Sequence, residues 1–176
     1  MKKLSLSELN RITPEEFKKQ AKIPVIVILD NIRSMNNVGS IFRTCDAFAV
    51  EKLYLCGITA TPPNKDITKT ALGATESVEW EYAEKVEELV VNLKKNNLKV
   101  FLVEQTDCSI LLDKFHFPKE KIAIVLGNEV FGVSDALLSL CDGAIEIPQQ
   151  GTKHSLNVTI AAGIVLWEAL KKLPLP

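Results

Sequence analysis

The 176-residue chain reads as an α/β protein built on a mainly parallel sheet flanked by helices, and three observations predict this. Continuously apolar, β-branched runs at 24–29 and 122–126 have the composition of central parallel strands, which are covered on both faces and so show no alternation. Strand-like and helix-like segments alternate along the chain, as βα units require. The third observation is the stretch 145–168, where a short strand stopped by Pro148 leads through Gly151 and a polar Lys153-His154-Ser155 step into an almost wholly apolar helix beginning near Leu156. Val158, Ile160, Ala161, Ala162, Ile164, Val165, Leu166 and Trp167 cover its whole circumference, so it is predicted to be buried on several faces, one of them against a second subunit. Asn157, Thr159, Gly163 and Glu168 interrupt the run, which falls short of the ~18 continuous apolar residues of a membrane span.

The elements follow in order. Residues 1–22 are expected to form a helical arm ahead of a single domain, 23–176. Ser5 or Ser7 can cap a first helix, and Thr13-Pro14-Glu15-Glu16 is a capping box with Pro at the first helical position, opening a helix towards Gln20. The carboxyl end of the 24–29 strand is where open parallel sheets bind ligands. There a polar loop from Asp30 passes into a helix near Asn37, with Asn37 as its cap and Ile41, Cys45 and Phe48 at helical spacing. A strand at 52–56, a Pro-bearing loop, a helix at 64–72 and a short extended piece at 78–80 come next. Val86, Leu89, Val90 and Leu93 stand at i, i+3, i+4 and i+7 within 83–96, an amphipathic helix ending at Asn96-Asn97. The strand 99–103 must then return parallel to the others. After the buried strand 122–126 comes G-N-E-V-F-G-V-S, then Ser134 as the cap of a helix towards Leu140, and a final strand at 144–147.

Composition narrows the function classes. The length supports one domain with a substantial core, and an apolar fraction of 47% excludes a disordered chain and suits a soluble α/β protein. A formal charge of -1 does not advertise a polyanion partner, so nucleic acid would have to meet a local patch. Lys2-Lys3, Lys18-Lys19-Lys22, Arg33, Arg43, Lys65, Lys69 and Lys153 are the candidates for it, whereas Lys94, Lys95 and Lys99 read as a solvated helix end. Cys45, Cys56, Cys108 and Cys141 show neither a C-x-x-C pair nor a histidine at zinc spacing, and read as reduced, buried small residues. Residues 1–10 are polar and amphipathic rather than a signal peptide, which points to the cytosol.

Three loops sit at predicted strand ends, 31–43, 127–134 and 148–157, and should converge on one crevice. None carries G-x-G-x-x-G or G-x-x-x-x-G-K-[ST], which disfavours a dinucleotide fold or a P-loop. The absence of H-E-x-x-H and G-x-S-x-G, with only two histidines in the chain, weakens hydrolase readings.

The loops carry three patterns: Asn37 with Arg43 six residues on; Leu126-Gly127-Asn128-Glu129-x-x-Gly132; and Ile147-Pro148-x-x-Gly151-x-x-x-Ser155-Leu156-Asn157-Val158. In this order they resemble the three motifs of the SpoU/TrmH family of the SPOUT superfamily, S-adenosylmethionine-dependent RNA ribose 2'-O-methyltransferases, over about residues 23–170. V-E-Q-T, I-P-Q-Q-G and S-L-N-V are also similar to the catalytic domains of the large eukaryotic tRNA guanosine-18 methyltransferases. The resemblance implies a C-terminal deep trefoil knot, which periodicity could not suggest because knots are nearly absent from folds. It further implies a cofactor bent in the knotted pocket, a homodimer that completes the site, and an RNA substrate, tRNA or rRNA, with a D-loop guanosine of tRNA favoured. Gly127, Ile147 and Leu156 would hold S-adenosylmethionine largely through main-chain contacts, with Val103, Glu104 and Gln105 on the adenine side. Asn37, Arg43, Glu129, Ser155 and Asn157 would form the catalytic set, without a metal. Phe48-Ala49, where many relatives have Gly, and Gln149, where many have Met, depart from the pattern.

The chemistry restricts the roles. The cofactor supplies the electrophile, so the protein's work is in-line orientation and deprotonation. The resemblance makes Arg43 the base, yet a guanidinium has a pKa above ~12. The physical reading of Arg43 is therefore a fork that clamps phosphate and stabilises the developing alkoxide. Each residue also has a plain structural role: Asn37 and Ser155 as helix caps, Glu129 and Asn157 as loop pins, Arg43 as a solvated helix arginine. Asp46, one turn after Arg43, is expected to position it, His116 to pack between Phe115 and Phe117, and His154 is a general base by residue type alone. A non-catalytic RNA-binding module is the alternative class, and the intact motifs argue against it.

Overall fold

The computed structural model describes residues 1–5, 7–9 and 11–173. β1 (Ile23–Asp30) is buried along nearly all its length, with Val25, Val27 and Leu29 facing one helical layer and Ile26 and Ile28 the other. It stands third in a seven-stranded sheet with β2 (Val50–Cys56), β3 (Trp80–Ala83), β4 (Lys99–Val103), β5 (Ile110–Leu111), β6 (Ile122–Leu126) and β7 (Gly143–Glu146). The order is β3-β2-β1-β6-β4-β7-β5, and every neighbouring pair is parallel. The expected α/β class with a parallel sheet is what the chain adopts.

Register decides where ligands can bind. Leu29 pairs with Leu126, Leu126 with Val103, and Val103 with Ile145, so the carboxyl ends of four central strands lie on one edge. The chain winds outward from β1 to β3 and then crosses to β4 on the other side, which puts the reversal of winding at β1, β6 and β4.

The helices divide between the faces. Phe17 of α1 (Pro14–Lys19) joins one core cluster with α2 (Met35–Ala47), α3 (Lys65–Ala71), α4 (Ala74–Ser77) and α7 (Val158–Lys172), while α5 (Val86–Lys95) and α6 (Asp135–Leu140) cover the other face. The Thr13 capping box at α1 forms in both directions. A 3-10 turn, Ser7–Leu9, precedes it, and the Ser5 N–H and hydroxyl both engage Glu8; the Ser7 side chain lies outside the described residues.

Several sequence expectations are corrected. α2 begins at Met35 rather than near Asn37, because the Ser34 hydroxyl accepts the Asn37 N–H and starts the helix earlier. Asn37 is thus inside the first turn, and its side chain is released from capping. α7 starts at Val158 with Asn157, not Ser155, as its cap. The 78–80 piece is displaced: β3 spans Trp80–Ala83 because these residues pair with Leu53 to Cys56, and α5 therefore begins only at Val86. The two-residue β5 carried no sequence signal. Ser134 stands before α6 but makes no side-chain cap bond. Only Cys45 and Cys56 are buried; Cys141 is half-buried and Cys108 exposed. Burial pushes the Cys56 thiol up to about 12 and the Cys141 thiol up to about 11, with nearby Asp30 and Asp142 adding to it, so neither is a thiolate at neutral pH. His116 is exposed while its neighbour Phe115 is buried against Phe101 and Phe117, so the histidine does not pack. No helix among the described residues is long and apolar enough to cross a membrane, and no cluster of metal-ligating side chains occurs among them.

α2 and α3 pack closely because position 39 has no side chain. A Cβ at Gly39 would collide with the Thr70 hydroxyl and the Ile67 carbonyl. Gly39→Val should therefore lower unfolding stability by about 1–3 kcal/mol in urea titration, the usual cost of overpacking; an unchanged midpoint would mean that the two helices can separate freely.

Candidate active site

The site is built where β6 ends. Gly127 to Gly132 folds back on itself through reciprocal hydrogen bonds between Asn128 and Gly132, N–H to C=O, at 2.8 and 3.0 Å. A Cβ at Gly127 would collide with the backbone of Gly132 and Val133, and Gly132 has φ +71°, so both glycines are demanded by the loop itself. The Asn128 side chain, 9% exposed, fills the turn. Its oxygen accepts the N–H groups of Val130 (2.9 Å) and Phe131 (3.1 Å), and its amide donates to the Asn31 carbonyl at 2.6 Å. The motif pattern assigns Asn128 no role of its own; the sequence signal for this pin is an asparagine set between Gly127 and Gly132 at the end of a strand, where Asn side chains bond the backbone of a turn.

Glu129 then ties this loop to the one after β1. Its carboxylate accepts the N–H groups of Arg33 (2.9 Å) and Ser34 (3.0 Å) and the side-chain amide of Asn37 (2.9 Å). The Asn37 side-chain oxygen in turn accepts the Asn157 amide at 3.4 Å, and the Asn157 oxygen caps α7 through the Thr159 N–H at 2.8 Å. Three segments distant in sequence are thereby joined by one string of polar groups. A second tie runs from the Gln105 amide to the His154 carbonyl at 2.8 Å, and Glu104 accepts the Val133 N–H at 3.2 Å. Behind the loops, the buried Asp30 carboxylate accepts the Ser134 N–H at 2.7 Å.

A cavity of about 620 Å³ opens between the ends of β4, β6 and β7 and the 147–158 segment. Val103, Glu104, Gln105, Gly127, Ile147 and Leu156, the residues expected at the cofactor, all line it, as do Glu129, Ser155 and Asn157 of the expected catalytic set. Asn37 reaches its rim through Glu129. Apolar walls from Val103, Ile147 and Leu156 alternate with Glu104, Gln105 and Asn128, a mixture that suits a flat heterocycle joined to a polar, charged tail, and the volume is that of a small-molecule site.

Arg43 is not brought to this cavity within one chain. It is exposed, two turns along α2, beside Thr159, Ile160 and Gly163 of α7, and has no hydrogen-bond or ion-pair partner among the described residues. Nor does Asp46 hold it: the Asp46 carboxylate accepts the Ser77 hydroxyl at 2.5 Å, which corrects the expectation that Asp46 positions the arginine.

Glu129 is exposed, yet its carboxyl lies below the ordinary range: partial burial opposes ionisation, and the Arg33 N–H, the Asn37 amide and the Ser34 N–H outweigh it. A depressed native pKa means that the tie is fully present above the unfolded glutamate value of ~4.3 and is lost as pH falls through the lower native value. The amide proton shifts of Arg33 and Ser34 should therefore titrate in NMR with a midpoint below that of free glutamate, and Glu129→Gln should abolish the transition. A midpoint at or above the free value would show that the three donors do not hold the carboxylate.

Comparison with known proteins agrees with this arrangement. The sequence model of the SpoU rRNA Methylase family matches residues 24–167. A tRNA (guanosine(18)-2'-O)-methyltransferase of Thermus thermophilus is 30% identical over 166 residues, covering 94% of this chain and 84% of that protein. The crystal structure of the A. aeolicus TrmH/SpoU tRNA modifying enzyme superposes with a TM-score of 0.80 at 27% identity, over 90% of this chain and 80% of that one. The AdoMet-bound rRNA methyltransferase of Sinorhizobium meliloti shares the fold, with a TM-score of 0.79 at 24% identity over 93% of this chain and 62% of that one. With most of its length matched by the family model, and with the second and third motif segments lining one cavity, the chain belongs to the SpoU rRNA Methylase family.

Proposed function

We propose that this protein transfers a methyl group from S-adenosylmethionine to a ribose 2'-hydroxyl of RNA, with a tRNA D-loop guanosine as its favoured substrate. One observation carries the reading: the segments after β4, β6 and β7 wall the same cavity, and the Glu129-Asn37-Asn157 string stands at its mouth. The relatives support the substrate, since the Thermus thermophilus protein is a guanosine-18 enzyme and the A. aeolicus protein modifies tRNA. An RNA substrate is consistent with a cytoplasmic location.

The cofactor, when bound, supplies an electrophilic methyl group, and the chain's own residues orient the ribose, whose 2'-hydroxyl proton passes to solvent as the methyl is transferred and S-adenosylhomocysteine is left. Val103, Ile147 and Leu156 offer apolar contact for the heterocycle, and Glu104 and Gln105 offer polar groups beside it. The Ser155 hydroxyl has no partner among the described residues and is available to the substrate. Glu129, with its oxygens already receiving three donors, positions Asn37 and the loop rather than taking a proton.

The arginine comes from pairing. Ile160, Ile164 and Trp167, at 53%, 37% and 52% exposure, form an apolar stripe on the outer face of α7, next to Arg43 of α2. A homodimer closed on this stripe would cover it and bring Arg43 towards the partner's cavity. On this reading residues 1–22 remain an arm and 23–176 the methyltransferase domain.

Arg43→Lys keeps the charge and loses the planar fork, so turnover on an unmodified tRNA transcript should fall by ~10²- to 10³-fold while calorimetric affinity for S-adenosylmethionine persists. Near-normal turnover would refute the role; activity on rRNA with none on tRNA would overturn only the substrate. Mixing Arg43→Ala with a cavity variant, Leu156→Asp, should restore part of the activity through mixed dimers. No restoration, with light scattering showing monomers, would remove the shared site.

A further inference from the structure

Phe131 is 83% exposed, more than any other Phe, Tyr or Trp among the described residues, and it stands at the edge of the methyl-transfer cavity rather than in the core. It does not stand on a loose loop. Its N–H is held by Asn128, the next residue is locked against Asn128, and the whole turn is fastened to the Arg33 and Ser34 backbone through Glu129. Across from it, Arg33 is exposed and Ile58 is 67% exposed, and the three side chains line one cavity of about 460 Å³ together with Asn31, Ser134 and Asp135. That cavity shares Asn128, Phe131 and Gly132 with the methyl-transfer cavity, so the two are separated by a single turn of chain.

We infer that Phe131, Arg33 and Ile58 form a stacking subsite for the base of a nucleotide adjacent to the one methylated. The inference rests on the RNA reading above and adds a specificity-determining contact to it. Because the two cavities share this turn as a wall, an RNA whose ribose reaches the larger one can place a neighbouring base against it. Unpaired bases are held by stacking on aromatic rings and guanidinium planes, and every base offers the required face. A ring on a backbone held by these hydrogen bonds presents that face with less ordering cost than one on an unbonded loop. The Arg33 guanidinium serves the second face of the base or its phosphate, whereas the Asp135 carboxylate repels phosphate at its own end and directs the strand towards Arg33.

The test uses the full-length protein and an unmodified tRNA transcript, with versions lacking one base on either side of the D-loop guanosine. Binding of the parent is measured first; if it binds neither tRNA nor rRNA, the RNA reading falls and this subsite with it. With binding established, Phe131→Ala should weaken it by roughly 5- to 150-fold, the usual loss of one base–aromatic stack. Phe131→Leu should lose nearly as much, because it keeps apolar bulk and loses the π-face, whereas Phe131→Trp should bind like the parent. The Phe131→Ala penalty should vanish on one of the two abasic transcripts. Equal penalties on all transcripts, a leucine variant as good as the parent, or an equal loss of S-adenosylmethionine affinity would each overturn the assignment, the last making Phe131 a wall of the cofactor cavity. Capture of a protein partner through this surface with unchanged RNA binding would overturn it as well. Unchanged Tm values in all three variants guard against misfolding.

Discussion

The carboxylate of Glu129 is the joint on which the rest of the site depends. It lies between two loops whose parent strands, β1 and β6, are already fixed side by side, and it converts that adjacency into a defined position for Arg33, Ser34 and Asn37. Ser34 can then cap α2, Asn37 can face Asn157, and Asn157 can cap α7. Hydrogen bonds to an ionised acceptor are stronger than neutral ones, which suits a residue that must hold three donors at an exposed rim. Asn128 does the equivalent work within the turn, satisfying two backbone N–H groups and a carbonyl with one side chain.

Much of the fold was legible because the central strands are apolar on both faces, and 24–29, 99–103 and 122–126 lie where their composition puts them. What failed was local competition between caps. Ser34 and Asn37 both suit an N-cap, as do Ser155 and Asn157, and sequence alone cannot say which one the tertiary structure claims for other work. Asn37 is released from capping because Glu129 engages it, an interaction between residues 92 apart. β5 is too short to have a pattern, and β3 is placed by pairing with β2 rather than by its own residues. The candidate site was readable only through motif order, since neither the length of the 148–157 segment nor its composition reveals that it closes over the ends of β4 and β6. Arg43 shows the reverse case: its motif position is unambiguous, and its place in one chain is away from the cavity.

Glycine supplies close approach at two unrelated places. At Gly39 it lets α2 lie against α3, and at Gly127 it lets the chain double back on Gly132 and Val133. The second matters for the reading of the site, because a substitution at Gly127 would disturb the turn before it could obstruct any ligand.

α7 begins at the cavity and continues as the helix whose outer stripe is left uncovered. Its inner face, with Val165, Leu166 and Ala169, is core, so it cannot shift at its far end without pulling on Asn157 at its near end. If the proposed pairing through this helix holds, subunit concentration becomes a variable of the chemistry: dilution would take the partner's arginine away, and specific activity would fall with the fraction of dimer rather than with loss of folded protein.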